Sequence, residues 1–496
     1  MTTSLLMTTS LLRAAVCAAA FGVLSVPGSL FAAEIPAVTT VTQLPPPPIH
    51  EWADLQANLN ANRIRGNGLV SIPPLKAYLD QLYAQLKTSA GVPDWPGSVY
   101  ITADTTLNAH SSASGNLFLH IALIQSAESE DEIYSVLAHE FAHVYLNHQS
   151  TYETHHTAEN LRFAGTLLGV LAGKIDVGSG PVKWGLGDTI GVADSLAHDS
   201  LIPVWQRDVE KQADMAGVHL SLRANYSYPA GFKTFLERLA TIEQGELEAL
   251  AAAAANQAAN KPQSVQKVRA THASAQEREA TLTELVAPVL PRPRPAPRET
   301  SWEAALREPL TAEVLAHFAL LPQIVELQAK GRNGDALKLA QKAASGATAG
   351  DATMLLTLQD AMRRAGATQA EQGAVLLRNV DWPERSWNAL RQGIYLAFMP
   401  NQPEMAKSGL NALFKEFGEA PAAMPDMVAF YLHTQDKLAQ MAMTTRCLQY
   451  ASHRKACSLS GQTEQERAQQ AAQIKAREEQ LGTQAADKFM KMLKLK

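Results

Sequence analysis

The sequence predicts a mainly α (α+β) protein: a helical domain with a short sheet over residues 51–285, then an α-helical, repeat-like domain over residues 301–462. Three observations point there. Apolar residues recur with helical period along most of the chain, and one short stretch of the first domain reads as β. Composition breaks at VAPVLPRPRPAPRET, where Pro291, Pro293, Pro295 and Pro297 cannot continue a helix, so residues 286–300 read as an extended linker. Beyond it, small residues recur at Ala336, Ala374, Ala406 and Ala439, spaced by 38, 32 and 33 residues. That is close to the period of about 34 of helix-pair repeats, and a stack of such pairs presents a concave partner-binding face.

Taken from the start, residues 1–33 read as a signal peptide: Arg13 precedes the apolar run Ala14 to Val26, Pro27-Gly28 breaks it, and Ala32-Ala33 offer a cleavage site. The run is too short to span a bilayer. A direct repeat of MTTSLL leaves Met1 or Met7 as the start, and Val16, where a small residue is needed before Cys17, argues against lipidation. Removing the signal leaves Cys447 and Cys457, either one disulfide across a short loop or two buried thiols. Lys and Arg (43) nearly balance Asp and Glu (48), and no basic stripe carries interleaved aromatics, which argues against nucleic-acid binding.

A Pro-rich lead, Pro45 to Pro48, precedes the first domain, and an Ala-rich segment from Ala249 to Ala259 extends a helix or forms an insertion within it. No later run reaches the roughly 18–20 continuous apolar residues of a membrane span. Residues 463–496 form a charged, helix-prone tail. Its Lys488, Lys491, Lys494 and Lys496 complement a helix end, with peripheral contact to an anionic membrane as the sharper alternative.

The chemistry lies in SEDEIYSVLAHEFAHVYLNH. Ser129 and Glu132 have capping-box spacing, and Ile133, Val136, Leu137 and Val144 repeat with helical period, so this is a helix with a defined start. His139 and His143, at i and i+4, share a face and can meet one tetrahedral Zn²⁺. Glu140 then lies beside the metal and can take a proton from the attacking water. By chance an HExxH pattern arises in only about 2 % of chains of this histidine content. QRDVEKQADMAG supplies a third ligand, Glu210, with Asp214 one turn on to hold a ligand imidazole in its tautomer. Two His and one Glu leave one position open, the pattern of a catalytic site with one Zn²⁺ per chain. Arg207 is a cation near this carboxylate pair. His148 lies too far round the helix for the same metal and reads as a supporting or capping residue. His155, His156 and His198 flank the apolar stretch Leu161 to Ala172, without a matching carboxylate set. That stretch reads as a helix beside the cleft or, less simply, as a contact for lipid or unfolded substrate.

Four ordered pieces over roughly residues 60–285 resemble the HtpX- and BepA-like gluzincin metallopeptidases, relatives of the Ste-type CAAX prenyl endopeptidases. LNAHSSASGNLFLHIALI is similar to the family's Asn-Ala strand, SEDEIYSVLAHEFAHV to its zinc helix, RDVEKQAD to its Arg-x-x-Glu-x-x-Ala-Asp helix, and ATHASAQER to its Thr-His-Pro segment, with Ala273 in place of Pro. The resemblance implies a zincin-like fold and puts Arg207, Glu210 and Asp214 on family positions. It implies that Asn108 and Ala109 lie at an edge strand that pairs with extended substrate. It also implies that His272 faces the zinc, polarising the oxyanion or occupying the fourth position at rest. The segment GRNGDALKLAQKA is similar to the turn and second helix of a tetratricopeptide-type unit.

These readings converge on an exported zinc endopeptidase, and the resemblance further implies a bacterial periplasmic enzyme acting on unfolded or misfolded envelope proteins, with the helical module docking a protein partner. The alternative is a periplasmic chaperone or assembly factor whose zinc site is latent.

Overall fold

The computed structural model describes residues 36–148, 207–241, 274–450 and 453–463, apart from 65 and 67, and in addition residues 244, 465, 466, 468 and 469. The signal peptide, the stretch from Leu161 to Ala172, His155, His156, His198, His272, the Ala-rich segment and the lysines of the tail lie outside them.

The described chain opens with α1 (Leu55–Ile64) and α2 (Pro73–Ser89). Pro73 and Pro74 suit the first turn of α2, where a missing N–H leaves no bond unmade, and Leu75, Leu79, Leu82 and Leu86 then fall on one buried face. A sheet follows: β1 (Val99–Thr102), β2 (Ala109–Ser111) and β3 (Leu117–His120) in the order β1-β3-β2. β3 runs parallel to β1 and antiparallel to β2, and as the central strand it is buried along its whole length. Strands this short give little alternation to read, which is why the sequence registers as a single β-like stretch.

After α3 (Ile121–Ser126) comes α4 (Glu130–Tyr145), the helix that carries the HExxH pattern. Ser129 caps it, accepting the Glu132 N–H at 3.2 Å. Glu132 does not complete the expected box. Its carboxylate bonds the Arg238 guanidinium at 2.8 Å and the Glu128 N–H at 3.0 Å, because a buried charge is better served by a cation than by one amide. Its neighbours are compensated as well. Glu130 accepts from Tyr226 Oη at 2.8 Å and from Tyr78 Oη, while Asp131 accepts the backbone N–H groups of Ser227 and Arg298, each at 2.6 Å. Three acidic groups are thus buried at the positive end of α4, where its dipole favours them.

Beyond α5 (Arg207–Arg223) and α6 (Ala275–Val286), helix follows helix: α7 (Glu299–Arg307), α8 (Pro309–Phe318), α9 (Leu321–Ala329), α10 (Asn333–Ala343), α11 (Ala352–Arg364), α12 (Gln369–Leu376), α13 (Trp387–Phe398), α14 (Pro403–Glu416), α15 (Met424–His433), α16 (Lys437–Leu448) and α17 (Arg454–Ser460). Residues Pro309–Ala329 are long and apolar enough to cross a membrane by length and composition alone. Here they bend into α8 and α9, with Val314, Phe318, Leu321 and Ile324 buried in the core. Of the recurring alanines, Ala336 and Ala406 are buried and Ala374 is exposed. The close contact at α12 is made by Gly373, where an added Cβ would lie 2.5 Å from the Ala397 nitrogen of α13. Cys447 and Cys457 are joined in a disulfide that ties α16 to α17.

The Pro-rich stretch ends in a fixed anchor. Arg298 bonds Asp131, lies over the Tyr226 ring at 3.9 Å and donates to the Asn225 carbonyl at 3.0 Å. Trp302, fully buried, donates its indole N–H to the Ala127 carbonyl at 2.8 Å. One hydrophobic cluster accordingly runs from Val38 through α4 and α5 to Ala389. A second contains Ile64 of α1 together with α13–α17, and the Arg63–Glu384 ion pair at 2.7 Å reinforces that junction. The Pro45–Pro48 lead is bound too, by Tyr145 Oη on the Pro45 carbonyl at 2.8 Å.

Asp351 caps α11, accepting the Met354 N–H at 3.1 Å, and burial pushes its carboxyl up to about 7 against the pull of the Met354 and Thr353 amides. The folded-state pKa therefore lies above the unfolded one. The stability this group contributes is complete below about pH 4 and is lost as pH rises through 7. Asp351→Asn keeps a capping acceptor and cannot ionise. Its advantage over wild type should be on the order of 1–4 kcal/mol at pH 8 and should vanish near pH 4, read from denaturant midpoints. An equal gap at both pH values would show that folding leaves the pKa of this carboxyl unchanged.

Candidate metal centre

α4 presents His139 and His143 one turn apart toward α5, and α5 presents Glu210, Asp214 and Gly217 at i, i+4 and i+7, on a single face toward α4. Gly217 is what lets them meet. A Cβ there would lie 2.7 Å from Phe232 Cζ, 3.0 Å from the His139 nitrogen and 3.1 Å from the Ala138 carbonyl carbon, so the two backbones touch at the first histidine.

The donor atoms converge. His139 Nε2 and His143 Nε2 are 3.2 Å apart, His139 Nε2 is 3.6 Å from Glu210 Oε2, and His143 Nε2 is 3.5 Å from Glu210 Oε1. A tetrahedron with bonds of about 2.0–2.1 Å has edges of about 3.3–3.4 Å, so this N₂O set has the size a zinc ion requires. Its one carboxylate and two imidazoles are also the donors that zinc prefers.

Each ligand is held from behind. His139 Nδ1 lies 3.0 Å from Asp214 Oδ1, and Asp214 in turn is gripped by both arms of Arg278 at 2.7 and 2.8 Å. Burial works to raise the Asp214 carboxyl, but the Arg278 charge and hydrogen bonds, joined by His139, overcome it and hold the group down at about 2. For His139 burial works downward, and the bond and charge of Asp214 with the charge of Glu210 reverse it, so this imidazole is raised above its usual range. His143 is held well below its usual range by burial and by the charge of His139. Its Nδ1 lies 2.9 Å from Nδ1 of His148, whose own pKa burial drives down to about 3. One of these two Nδ1 atoms donates to the other, and a His143 that keeps its Nε2 lone pair for the donor set is the donor. Asn147, at φ 57°, turns the chain past α4 in the left-handed conformation and brings His148 back to this position.

Glu140 is recessed beside the set. Burial, aided by the charge of Glu210, raises its carboxyl to about 7, while His139 and a hydrogen bond from Ser111 oppose the rise. Ser111 is on β2. His120 N–H donates to the Asn108 carbonyl at 3.1 Å and Ser112 N–H to the Asn116 carbonyl at 3.0 Å, a ladder that turns the backbone groups of Ala109 and Ser111 to the outer edge of the sheet. The Ala109 N–H there is already engaged by Asn108 Oδ1 at 2.8 Å.

Of the residues singled out in the sequence, His139, Glu140, His143, Glu210 and Asp214 come together; Ala109 begins the strand that carries Ser111, and Asn108 immediately precedes it. Arg207 is the first residue of α5, its side chain outside the described set, as is His272. Among the described residues, Arg278 is a cation on the Glu210–Asp214 pair, 2.7 Å from Asp214 Oδ1 and 3.2 Å from Glu210 Oε2. Sequence reasoning passed over it, although it closes the segment ATHASAQER; so did Ser111, which no spacing rule links to Glu140.

Residues 73–286 match the model of peptidase family M48. They form an M48 peptidase domain. The domain is 27% identical over 179 residues to the beta-barrel assembly-enhancing protease of Escherichia coli (strain K12), covering 36% of this chain and 35% of that one. It is 29% identical over 173 residues to the protein of that name from Yersinia pestis, covering 35% of this chain and 34% of that one. It is 25% identical over 196 residues to the mitochondrial metalloendopeptidase OMA1 of Schizosaccharomyces pombe, covering 39% and 52%. The chain thus spans about a third of the length of the bacterial relatives it matches. The mainly helical fold with its small sheet is that of an M48 domain followed by a helical region.

The Gly217 contact is open to test. Ala is the better helix former by about 1 kcal/mol, yet Gly217→Ala should destabilise the M48 domain by roughly 1–3 kcal/mol through overpacking against backbone. Zinc affinity, measured by chelator competition, should fall in parallel. Unchanged stability and affinity would mean that α4 and α5 can separate without cost.

Proposed function

We propose that the protein is a zinc endopeptidase that binds one Zn²⁺ through His139, His143 and Glu210 and hydrolyses peptide bonds in exported polypeptides. The observation that carries this reading is the convergence of three donor atoms within 4.8 Å of one another, with the Glu140 carboxyl alongside. When bound, zinc supplies Lewis acidity to the scissile carbonyl and the attacking water. Glu140 takes the proton of that water and returns it to the departing amine, work suited to a carboxyl held near 7. Asp214 and His148 keep the two imidazoles in their ligand tautomers. The outer edge of β2 reads the backbone of an extended substrate, through the Ala109 carbonyl and the groups of Ser111, with Asn108 fixing the strand; recognition of backbone supports broad specificity. His272 faces this cleft in our reading, as an oxyanion donor or a resting ligand. Arg207 belongs to its periphery.

We further propose that the substrates are unfolded or misfolded proteins of the bacterial envelope, met in the periplasm after export by residues 1–33. The helical region over residues 301–462 docks a protein partner. The names of the bacterial relatives, proteases that enhance beta-barrel assembly, support the envelope setting.

Zinc content and casein cleavage of wild type and Glu140→Gln, side by side, test the central reading. Wild type should hold about one zinc and cut, and the variant should hold zinc and cut about 10²–10⁴-fold more slowly. Full function with Glu140→Gln would favour an assembly factor over a peptidase, and folded wild-type protein without zinc would refute the site.

A further inference from the structure

We propose that Arg278 is the positioning residue of the metal centre, fixing the Glu210 carboxylate through its Oε2 and holding Asp214 as the fixed acceptor for His139. This inference rests on the zinc site read above. The guanidinium spends all three nitrogens on this task. Nε and Nη2 bind Asp214 Oδ2 and Oδ1 at 2.8 and 2.7 Å, and Nη1 lies 3.2 Å from Glu210 Oε2. Asp214 Oδ1 therefore serves Arg278 and His139 Nδ1 together, the latter at 3.0 Å.

The division of labour at Glu210 follows from the same contacts. Oε2 lies 3.2 Å from Arg278 Nη1 and 3.6 Å from His139 Nε2, while Oε1 lies 3.5 Å from His143 Nε2. An oxygen that already accepts from a guanidinium is the weaker metal donor, so Arg278 favours binding through Oε1 and keeps a coordination position for water and the substrate carbonyl. Charge requires a cation here as well. Glu210 and Asp214 are one turn apart on α5 and repel, and Asp214 is almost fully buried. Arg278 itself is mostly sequestered, its side chain 12% exposed, so the pairing is not a solvent-screened surface bridge.

The side chain comes from a defined origin. Ser274 and Glu277 form a full capping box that starts α6, and Arg278 follows it in the first turn. The metal helix α5 is thereby tied to the helix that begins just after His272. Lysine in this place has one charge centre and cannot engage both carboxylates in planar, forked fashion.

The test uses full-length protein with Arg278→Gln, Arg278→Lys and Arg278→Ala, each measured for zinc affinity by chelator competition, for the absorption spectrum with Co²⁺ in place of zinc, and for unfolding of the metal-free form. Zinc affinity should fall about 10–100-fold in the Gln and Ala variants, with little recovery in Lys. The cobalt bands should weaken as Glu210 becomes free to add its second oxygen. Millimolar methylguanidinium should restore affinity and spectrum to Arg278→Ala. A merely structural tie between α5 and α6 would lower the unfolding midpoint and leave the cobalt spectrum unchanged. That outcome overturns the inference, as do unaltered zinc affinity in folded variants and failure of all three variants to fold. Wild type that binds neither zinc nor cobalt refutes the metal site itself, a separate result.

Discussion

The burial of a polar helix is the constraint on which the rest depends. α4 carries three carboxylates in its first turn and two histidines further on, and nearly all of it is removed from solvent. An unpaired charge in such a place costs several kcal/mol, so each group must find a partner, and α4 itself cannot provide them. The partners come from several separate parts of the M48 domain. Tyr78 comes from α2, Ser227 and Tyr226 from the turn after α5, Arg238 from the helix over residues 234–241, Asp214 from α5 and His148 from beyond the helix end. The tertiary fold is in this sense the set of positions that neutralises one helix.

That principle extends past the peptidase domain. Arg298 and Trp302 lie after the Pro-rich stretch, yet they bond Asp131 and the Ala127 carbonyl at the start of α4. At the opposite end, His50 Nε2 is 2.6 Å from the Val144 carbonyl and Tyr145 is bonded to Pro45. Both ends of the metal helix are therefore clamped by chain that a reading of composition assigns to linker or lead. Proline there sets direction: a stiff, extended segment delivers Arg298 to its carboxylate with less entropy to lose than a flexible one.

The parts of the site visible in the sequence are those whose partners are close in sequence or share a helical face. His139 with His143 and Glu210 with Asp214 obey the i, i+4 rule, and Ser129 announces the start of α4. Gly217 follows the same arithmetic, one turn beyond Asp214, but a glycine in a helix carries no signal of what it approaches. Arg278, Arg298 and Ser111 act across long sequence distances, and no local pattern encodes such a partner. The strands were legible only as one stretch because three or four residues do not establish a period. In the helical region, helix existence was plain from periodicity. Which small residue makes each close contact was not, as Gly373 in place of Ala374 illustrates.

Electrostatics explain why this cluster is poised for a cation. Without one, Glu210 and Asp214 bring two carboxylates together, paired among the described residues with the charge of Arg278. The charges of Asp214 and Glu210 raise His139 above its usual range, and burial raises Glu140 to about 7. A divalent ion among these donors would supply the positive charge instead. A proton on His139 Nε2 would have to leave first, since that atom cannot carry a proton and a metal together. The sign follows directly: metal and proton compete for one site, and affinity declines as pH falls through the range in which His139 is protonated. His143, held well below its usual range by burial and by the charge of His139, meets that competition only at lower pH. The two histidines of one motif are thus made electrically unequal by what lies behind them, a carboxylate for the first and an imidazole for the second.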